Sequence, residues 1–286
     1  AMSIETFHKA SLVHDDIEDD DAHRYGQETL HRKHGLATAI NVGDYLIGLG
    51  YRLVSRDAGE LGSDTATDIL NLLAEAHMRL SEGQGAELHW RDARNKRLLP
   101  LDALKIYALK TSPAFEAALL SGIRLAGPIA DYAAPIKQFA RNVGVAFQIL
   151  NDLQDWEGDS NNKLSLGADI LGGRPTLLWA LALEGLPADG QQELLDLVSD
   201  NTRAAEYRVQ RVRQLYRQAK VFEKAHRMVD KHQERAEAIA DEIGPDELRR
   251  LLYYLVDTVL ERPAAGPIPT VISTPVTIEM PSATNG

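Results

Sequence analysis

The chain contains no cysteine, which excludes disulfide cross-links, thiol nucleophiles and thiolate metal sites. It also lacks any run of about 18 apolar residues, the minimum for a membrane-spanning helix. The opening AMSIETFHKA has neither the basic nor the apolar region of a secretion signal. These absences predict a cytoplasmic protein with no stable membrane insertion. Positive charge is scarce as well: 31 Lys and Arg stand against 42 Asp and Glu, a net charge of −11. A sequence-independent grip on nucleic acid needs basic surface, so no nucleic-acid partner is expected. An acidic protein that handles a phosphorylated ligand needs metal ions instead. No Ser-His-Asp signature is present, and strictly alternating runs of Val, Ile and Thr are nearly absent before residue 265.

Leucine and alanine at helical spacing fill the remainder of the 286 residues, of which 44% are hydrophobic. Helices are predicted over residues 2–19, 36–57, 64–82, 101–109, 112–126, 132–155, 174–184, 190–199, 202–241 with a break, and 245–261. Their limits carry Gly and Pro punctuation at LPLD, AGP, LGGRP, EGLPADG and IGPDE. The fold class read from this pattern is all-α, with several helices apolar on more than one face, as buried bundle helices are. The domain would span 1–262. Residues 263–286, with five prolines and Glu279 as the sole charge, read as a flexible tail or linker, with an edge strand through PVTIEM as the alternative.

The stretch LVHDDIEDDD crowds six carboxylates into the seven positions from Asp15 to Asp21. On a helix Asp15 and Asp19 share a face and Asp16 borders it. Such carboxylates repel one another unless a hard cation lies between them, and an oxygen-rich set suits Mg²⁺ completed by waters and phosphate oxygens. Glu18, Asp20 and Asp21 would be solvated. A second cluster follows a long apolar helix in FQILNDLQDWEGD, where Asn151, Asp152 and Asp155 repeat the spacing and Asp159 lies one turn further on. Two such clusters at the ends of facing helices would make an oxygen-lined mouth on an apolar cavity. It would hold two or three Mg²⁺ ions and a diphosphate.

These segments resemble the trans-isoprenyl diphosphate synthases, the polyprenyl synthetase family. The likeness runs through LVHDDIEDDDAHRYGQETLHRKHGLATAINVGDYLIG, EGQGAELHW, ALKTSPAFEAALLSG, VGVAFQILNDLQDW and NKLSLGADILGGRPTLLWAL, in family order over residues 4 to 260. It implies an antiparallel helical bundle of the isoprenoid-synthase type around a central cavity. It implies Mg²⁺ ligands at Asp15, Asp16 and Asp19 on one wall and at Asn151, Asp152 and Asp155 on the other. Arg24, Lys110, Lys163 and Arg174 would contact an allylic diphosphate, with Thr111 and Gln148 near the reacting carbons. The implied activity is condensation of an allylic diphosphate with isopentenyl diphosphate, in a homodimer.

Asn151 replaces the usual Asp of the second region and Tyr25 replaces the second arginine of a pair before glycine; the family's Gly-Gly-Lys-Arg segment and N-terminal helices would lie upstream of Ala1. Asn151, Asp155 and Asp159 are also spaced like the Asn-Ser-Glu triad of class I terpene cyclases, so cyclisation or transfer to another acceptor is the alternative. A non-catalytic regulatory subunit would predict a damaged metal site, and Asp15, Asp16 and Asp19 are intact. In the family the turns before the first aspartates line the cavity floor. Here Ala10 and Ser11 leave it open and Phe7 closes it, for a product of about 20 to 25 carbons at roughly one isoprene unit per 5.4 Å helical turn. The small residues of helix 36–57 are expected to permit close packing against a second subunit.

Overall fold

A computed structural model describes residues 1–157, 167–199 and 202–261. The first helix, α1 (Met2–Glu18), leads into a two-residue hairpin, β1 (His23–Arg24) and β2 (Gln27–Glu28), and a short α2 (Leu30–His34). Then come α3 (Leu36–Arg56), α4 (Ala58–Leu61), α5 (Ser63–Asp92), α6 (Pro100–Lys110) and α7 (Ser112–Ala126). The second half holds α8 (Ala133–Glu157), α9 (Ala168–Leu171), α10 (Leu177–Gly185), α11 (Ala188–Ser199), α12 (Ala205–Gln218), α13 (Val221–Glu242) and α14 (Asp246–Val259).

The predicted all-α class and the bundle hold. One apolar cluster joins α6, α8, α10 and α13, with Phe139, Val143, Ile149, Trp179 and Val229 wholly enclosed. Burying a side chain as large as Trp179, 1% exposed, contributes about 3 kcal/mol. A smaller cluster of Val54, Ile69, Leu73 and Ala117 sits between α3, α5 and α7, with Ile4 and Phe7 of α1 packed on it.

Three boundaries differ from expectation by three residues or more. The helix predicted to stop at residue 82 runs on to Asp92, because Gly83 is a contact and not a break. A Cβ there would lie 2.5 Å from the Lys110 amide nitrogen and 2.7 Å from the Leu109 carbonyl carbon, so only glycine lets α5 meet the backbone of α6. The helix predicted from 174 starts at Leu177, since Thr176 is its N-cap and accepts from the Trp179 amide at 3.1 Å. The long helix of the C-terminal half starts at Ala205, and its expected break falls between α12 and α13, where Lys220 turns left-handed at φ 54°.

The hairpin was not anticipated. Tyr25 at φ 51° and Gly26 at φ 73° form a turn with two left-handed residues, the geometry that fits strand twist. The small residues of α3 also serve a different end from the one expected. Gly43 lies under the His14 ring and Gly50 under the Phe7 ring, each too close for a Cβ. They seat α1 on α3 within the chain. The predicted tail and the PVTIEM strand lie outside the described residues.

Candidate active site

Asp15 and Asp16 stand in the last turn of α1 and Asp19 is its C-cap, with no basic residue in that turn. A helix C-terminus carries partial negative charge, so carboxylates there are doubly disfavoured. Cations from elsewhere in the fold answer them. Arg24 of the hairpin donates from Nε to Asp16 Oδ1 at 2.6 Å, and Arg174 Nη2 lies 2.7 Å from Asp19 Oδ2. Arg91 of α5 donates to the Glu18 carbonyl at 2.7 Å and lies 3.8 Å from Asp19. Burial lifts the Asp15 carboxyl from its ordinary value to about 6, against the pull of Lys110 and with the help of Asp19 and Glu18.

Lys110 ends α6 and pairs with the buried Glu87 of α5 at 2.9 Å. Burial works against its charge, but Glu87 and Asp15 outweigh burial and raise its pKa. The break at Thr111 is fixed by Pro113 at the start of α7 and by Gly144 of α8, where a Cβ would meet Ser112 Oγ at 2.7 Å. One turn along α8, Gln148 Nε2 donates to Thr111 Oγ1. The two residues expected near the reacting carbons are thus in contact.

On the second wall, Asp152 is buried and accepts from the Tyr107 hydroxyl and from the Leu177 amide, the latter at 3.1 Å. It joins α6, α8 and α10. Asp155 accepts from the Asp169 amide at 3.3 Å, and Asp169 accepts from Arg174 Nη1 at 3.0 Å. Arg174 therefore spans the mouth: one nitrogen is on Asp19 and another on Asp169, whose amide touches Asp155. Through Arg174 the two aspartate regions are linked at one place. Asn151 is half-buried beside them. Lys163, and Asp159 of the alternative triad, lie outside the described residues.

No group of three His, Cys, Asp or Glu that could by itself hold a metal ion occurs among the described residues. Asp16 and Asp19 are turned to arginines, and Asp152 is anchored inside the bundle. The donors at the mouth are nonetheless all oxygens, with Asp15 and Asp19 one turn apart. That chemistry fits a hard divalent ion completed by substrate phosphates and water better than a protein cage.

Residues 1–218 match the polyprenyl synthetase family. The chain belongs to that family. It is 30% identical over 202 residues to a short chain isoprenyl diphosphate synthase of Methanocaldococcus jannaschii, covering 70% of this chain and 60% of that one. The chain thus spans under two thirds of that relative's length. A geranylgeranyl pyrophosphate synthetase structure from Pyrococcus horikoshii superposes with a TM-score of 0.81 at 26% identity, covering 91% of this chain and 78% of that one. A geranylgeranyl pyrophosphate synthase of Corynebacterium glutamicum, solved with isoprenyl diphosphate and magnesium, shares the fold at a TM-score of 0.80 and 21% identity. It covers 91% of this chain and 78% of that one.

The structure places other family-motif residues in roles that the spacing did not reveal. Glu87 and Gln84 belong to EGQGAELHW: the first holds Lys110, and the second donates to Glu18 Oε2 at 2.6 Å. Glu18, expected to be solvated, is half-buried in this contact. Asp20 is exposed as expected, paired with Arg32 at 2.7 Å. Tyr107 and Arg91 had no local signal, since their partners are remote or backbone groups.

On the presumed floor, Ala10 is buried, Ser11 is exposed with its hydroxyl on the His8 carbonyl at 2.9 Å, and Phe7 packs between α3 and α5. No helix among the described residues is long and apolar enough to cross a membrane.

Proposed function

We propose that the protein is a Mg²⁺-dependent prenyltransferase that condenses an allylic diphosphate with isopentenyl diphosphate into a longer trans-polyprenyl diphosphate. The observation that carries this reading is the Arg174 bridge, which gathers both aspartate regions, Lys110 and an apolar bundle around one mouth. The names and ligands of the relatives support it. Two or three Mg²⁺, once bound by Asp15, Asp19, Asp155 and neighbouring oxygens, would neutralise the diphosphate as a leaving group.

The chain's own residues supply the remaining chemistry. Arg24, Lys110, Arg174 and Lys163 hold diphosphate oxygens and stabilise the charge that grows as the allylic C–O bond breaks. Thr111 and Gln148 stand beside the carbons that carry the cation. Half-buried Leu12 and Val13 help wall the site against water. The double bond of isopentenyl diphosphate then forms the new C–C bond, and its lost proton passes to the departed diphosphate. No protein nucleophile is consumed.

The same reading makes the protein a cytoplasmic homodimer, with the exposed Leu36, Ile40 and Tyr45 of α3 as the partner face. The test is product analysis with Mg²⁺ and farnesyl diphosphate, with and without isopentenyl diphosphate. Longer diphosphates that require isopentenyl diphosphate support the reading. A hydrocarbon or alcohol formed without it would point to the cyclase alternative.

A further inference from the structure

The segment between α5 and α6, residues 93–99, is tied down at several points. At its centre Lys96 donates from Nζ to the Trp90 carbonyl at 3.4 Å and to the Arg91 carbonyl, and the ammonium lies 5.0 Å from the centre of the Trp90 ring. A helix leaves its last carbonyls without internal partners and carries partial negative charge there. Lys96 is therefore the side-chain cap of α5. Its own carbonyl accepts from Trp179 Nε1 of α10 at 2.7 Å, and Trp90 Nε1 donates to the Arg97 carbonyl at 3.5 Å. Leu98 is buried in the apolar cluster.

The turn that Lys96 caps is the one that carries Arg91 to the mouth. At the end of α1 the carbonyls of Asp15, Asp16 and Ile17 accept from the amides of Asp19, Asp21 and Asp20, at 2.9, 3.0 and 3.3 Å. The next carbonyl, of Glu18, accepts from Arg91 Nη1 at 2.7 Å, across 73 residues of sequence. The same nitrogen lies 3.8 Å from Asp19 Oδ1. The cap of one helix thus steadies the side chain that caps the next, and that next helix presents the first aspartates. The opposite wall is tied to the same segment. Trp179 lies one turn beyond the N-cap Thr176, whose amide donates to the Arg174 carbonyl at 3.0 Å.

Resting on the reading of the mouth as an allylic diphosphate site, we propose that residues 93–97 form a brace that fixes the distance between its two walls. Lys96 and Arg91 are positioning residues in it, and neither needs to touch the substrate. Loss of the Lys96 cation frees the last turn of α5, lets Arg91 leave the Glu18 carbonyl and loosens the first aspartates against the second. The brace acts on binding more than on the chemical step. Thr111 and Gln148, beside the reacting carbons, are held by each other and by the close approach of Gly144 to Ser112.

The test measures steady-state elongation by the full-length protein with Mg²⁺, farnesyl diphosphate and isopentenyl diphosphate, and separately the calorimetric binding of inorganic diphosphate with Mg²⁺. Lys96→Met keeps a side chain over Trp90 and removes the charge. It should raise the Michaelis constant for farnesyl diphosphate about fivefold, the scale of a partly buried cation at a helix end, and leave kcat within about twofold. Lys96→Arg should restore the wild-type constant. Because Lys96 acts through Arg91, adding Lys96→Met to Arg91→Gln should add nothing to the defect of Arg91→Gln alone. A wild-type constant in Lys96→Met, or defects of the two variants that multiply, would overturn the brace. Should Lys96→Met fail to fold, Arg91→Gln decides, and a wild-type constant there overturns the brace as well. A wild type that binds diphosphate with Mg²⁺ but does not elongate would overturn the prenyltransferase reading alone. The brace then stands or falls on whether Lys96→Met weakens that binding by about the same factor.

Discussion

Asp15 concentrates the conflict between stability and function in one carboxyl group. Its pKa rises in the folded chain from 3.8 to about 6, so between those values the folded state holds more protons than the unfolded one. Stability of the ligand-free protein should therefore fall as pH rises from about 4 to about 6. At neutral pH the buried charge costs about 1 to 3 kcal/mol. Asp15→Asn should raise the melting temperature at pH 7.5 in the absence of ligand while lowering turnover at least 100-fold. A variant that is both less stable and fully active would contradict this account. Elongation at limiting Mg²⁺ should likewise decline below pH 6, where Asp15 takes up a proton.

This residue was legible in the sequence because i, i+4 aspartates declare their shared face. Glu87 and Tyr107 were not, since what they hold is set by how helices cross and no short spacing encodes a crossing.

Among the elements, α5 and the hairpin show how a local reading goes astray. The predicted helix ends at residue 82, just before Gly83, and Gly83 is the point where two backbones touch. Gly83→Ala should force α5 from α6, cost about 3 kcal/mol or more as an overpacked site, and displace Lys110 from the mouth. Thermal unfolding and the Michaelis constant for the allylic substrate would both report it. An unshifted melting temperature would show that the crossing is looser than described.

At the hairpin, RYGQ lacks the Asn-Gly signal that would have announced the turn. Tyr25 is 61% exposed and left-handed, a conformation that costs a residue with a bulky side chain about 1 to 2 kcal/mol. Tyr25→Asn should stabilise the chain by about 0.5 to 1 kcal/mol, measurable by denaturant midpoint. Helix existence and order were legible because 3.6-residue periodicity is strong in long segments. Boundaries were less so, because Thr176 and Gly83 act through specific partners.

At the scale of the whole molecule, the aspartates at the mouth are balanced by arginines from three separate segments, so the acidic surplus of the chain is not spread evenly. The arrangement joins the end of α1 to the segment after α8 through Arg174, and the apolar cluster beneath fixes the depth at which these groups stand. The bundle was readable from composition and periodicity, and family likeness put the site in order. Neither could show that α3 uses its glycines for α1.

If the exposed face of α3 does serve a second copy, Ile40→Asp should convert a dimer to a monomer in analytical ultracentrifugation. A dimer that survives the change would place the interface elsewhere.

The central claim is that this mouth binds an allylic diphosphate through divalent ions held by both aspartate regions. Calorimetric titration with a non-reactive thio analogue of farnesyl diphosphate tests it most directly. The account predicts tight binding only in the presence of Mg²⁺, weakened at least tenfold by Asp19→Asn and by Asp155→Asn separately. Equal affinity in excess chelator, or indifference to either substitution, would contradict it.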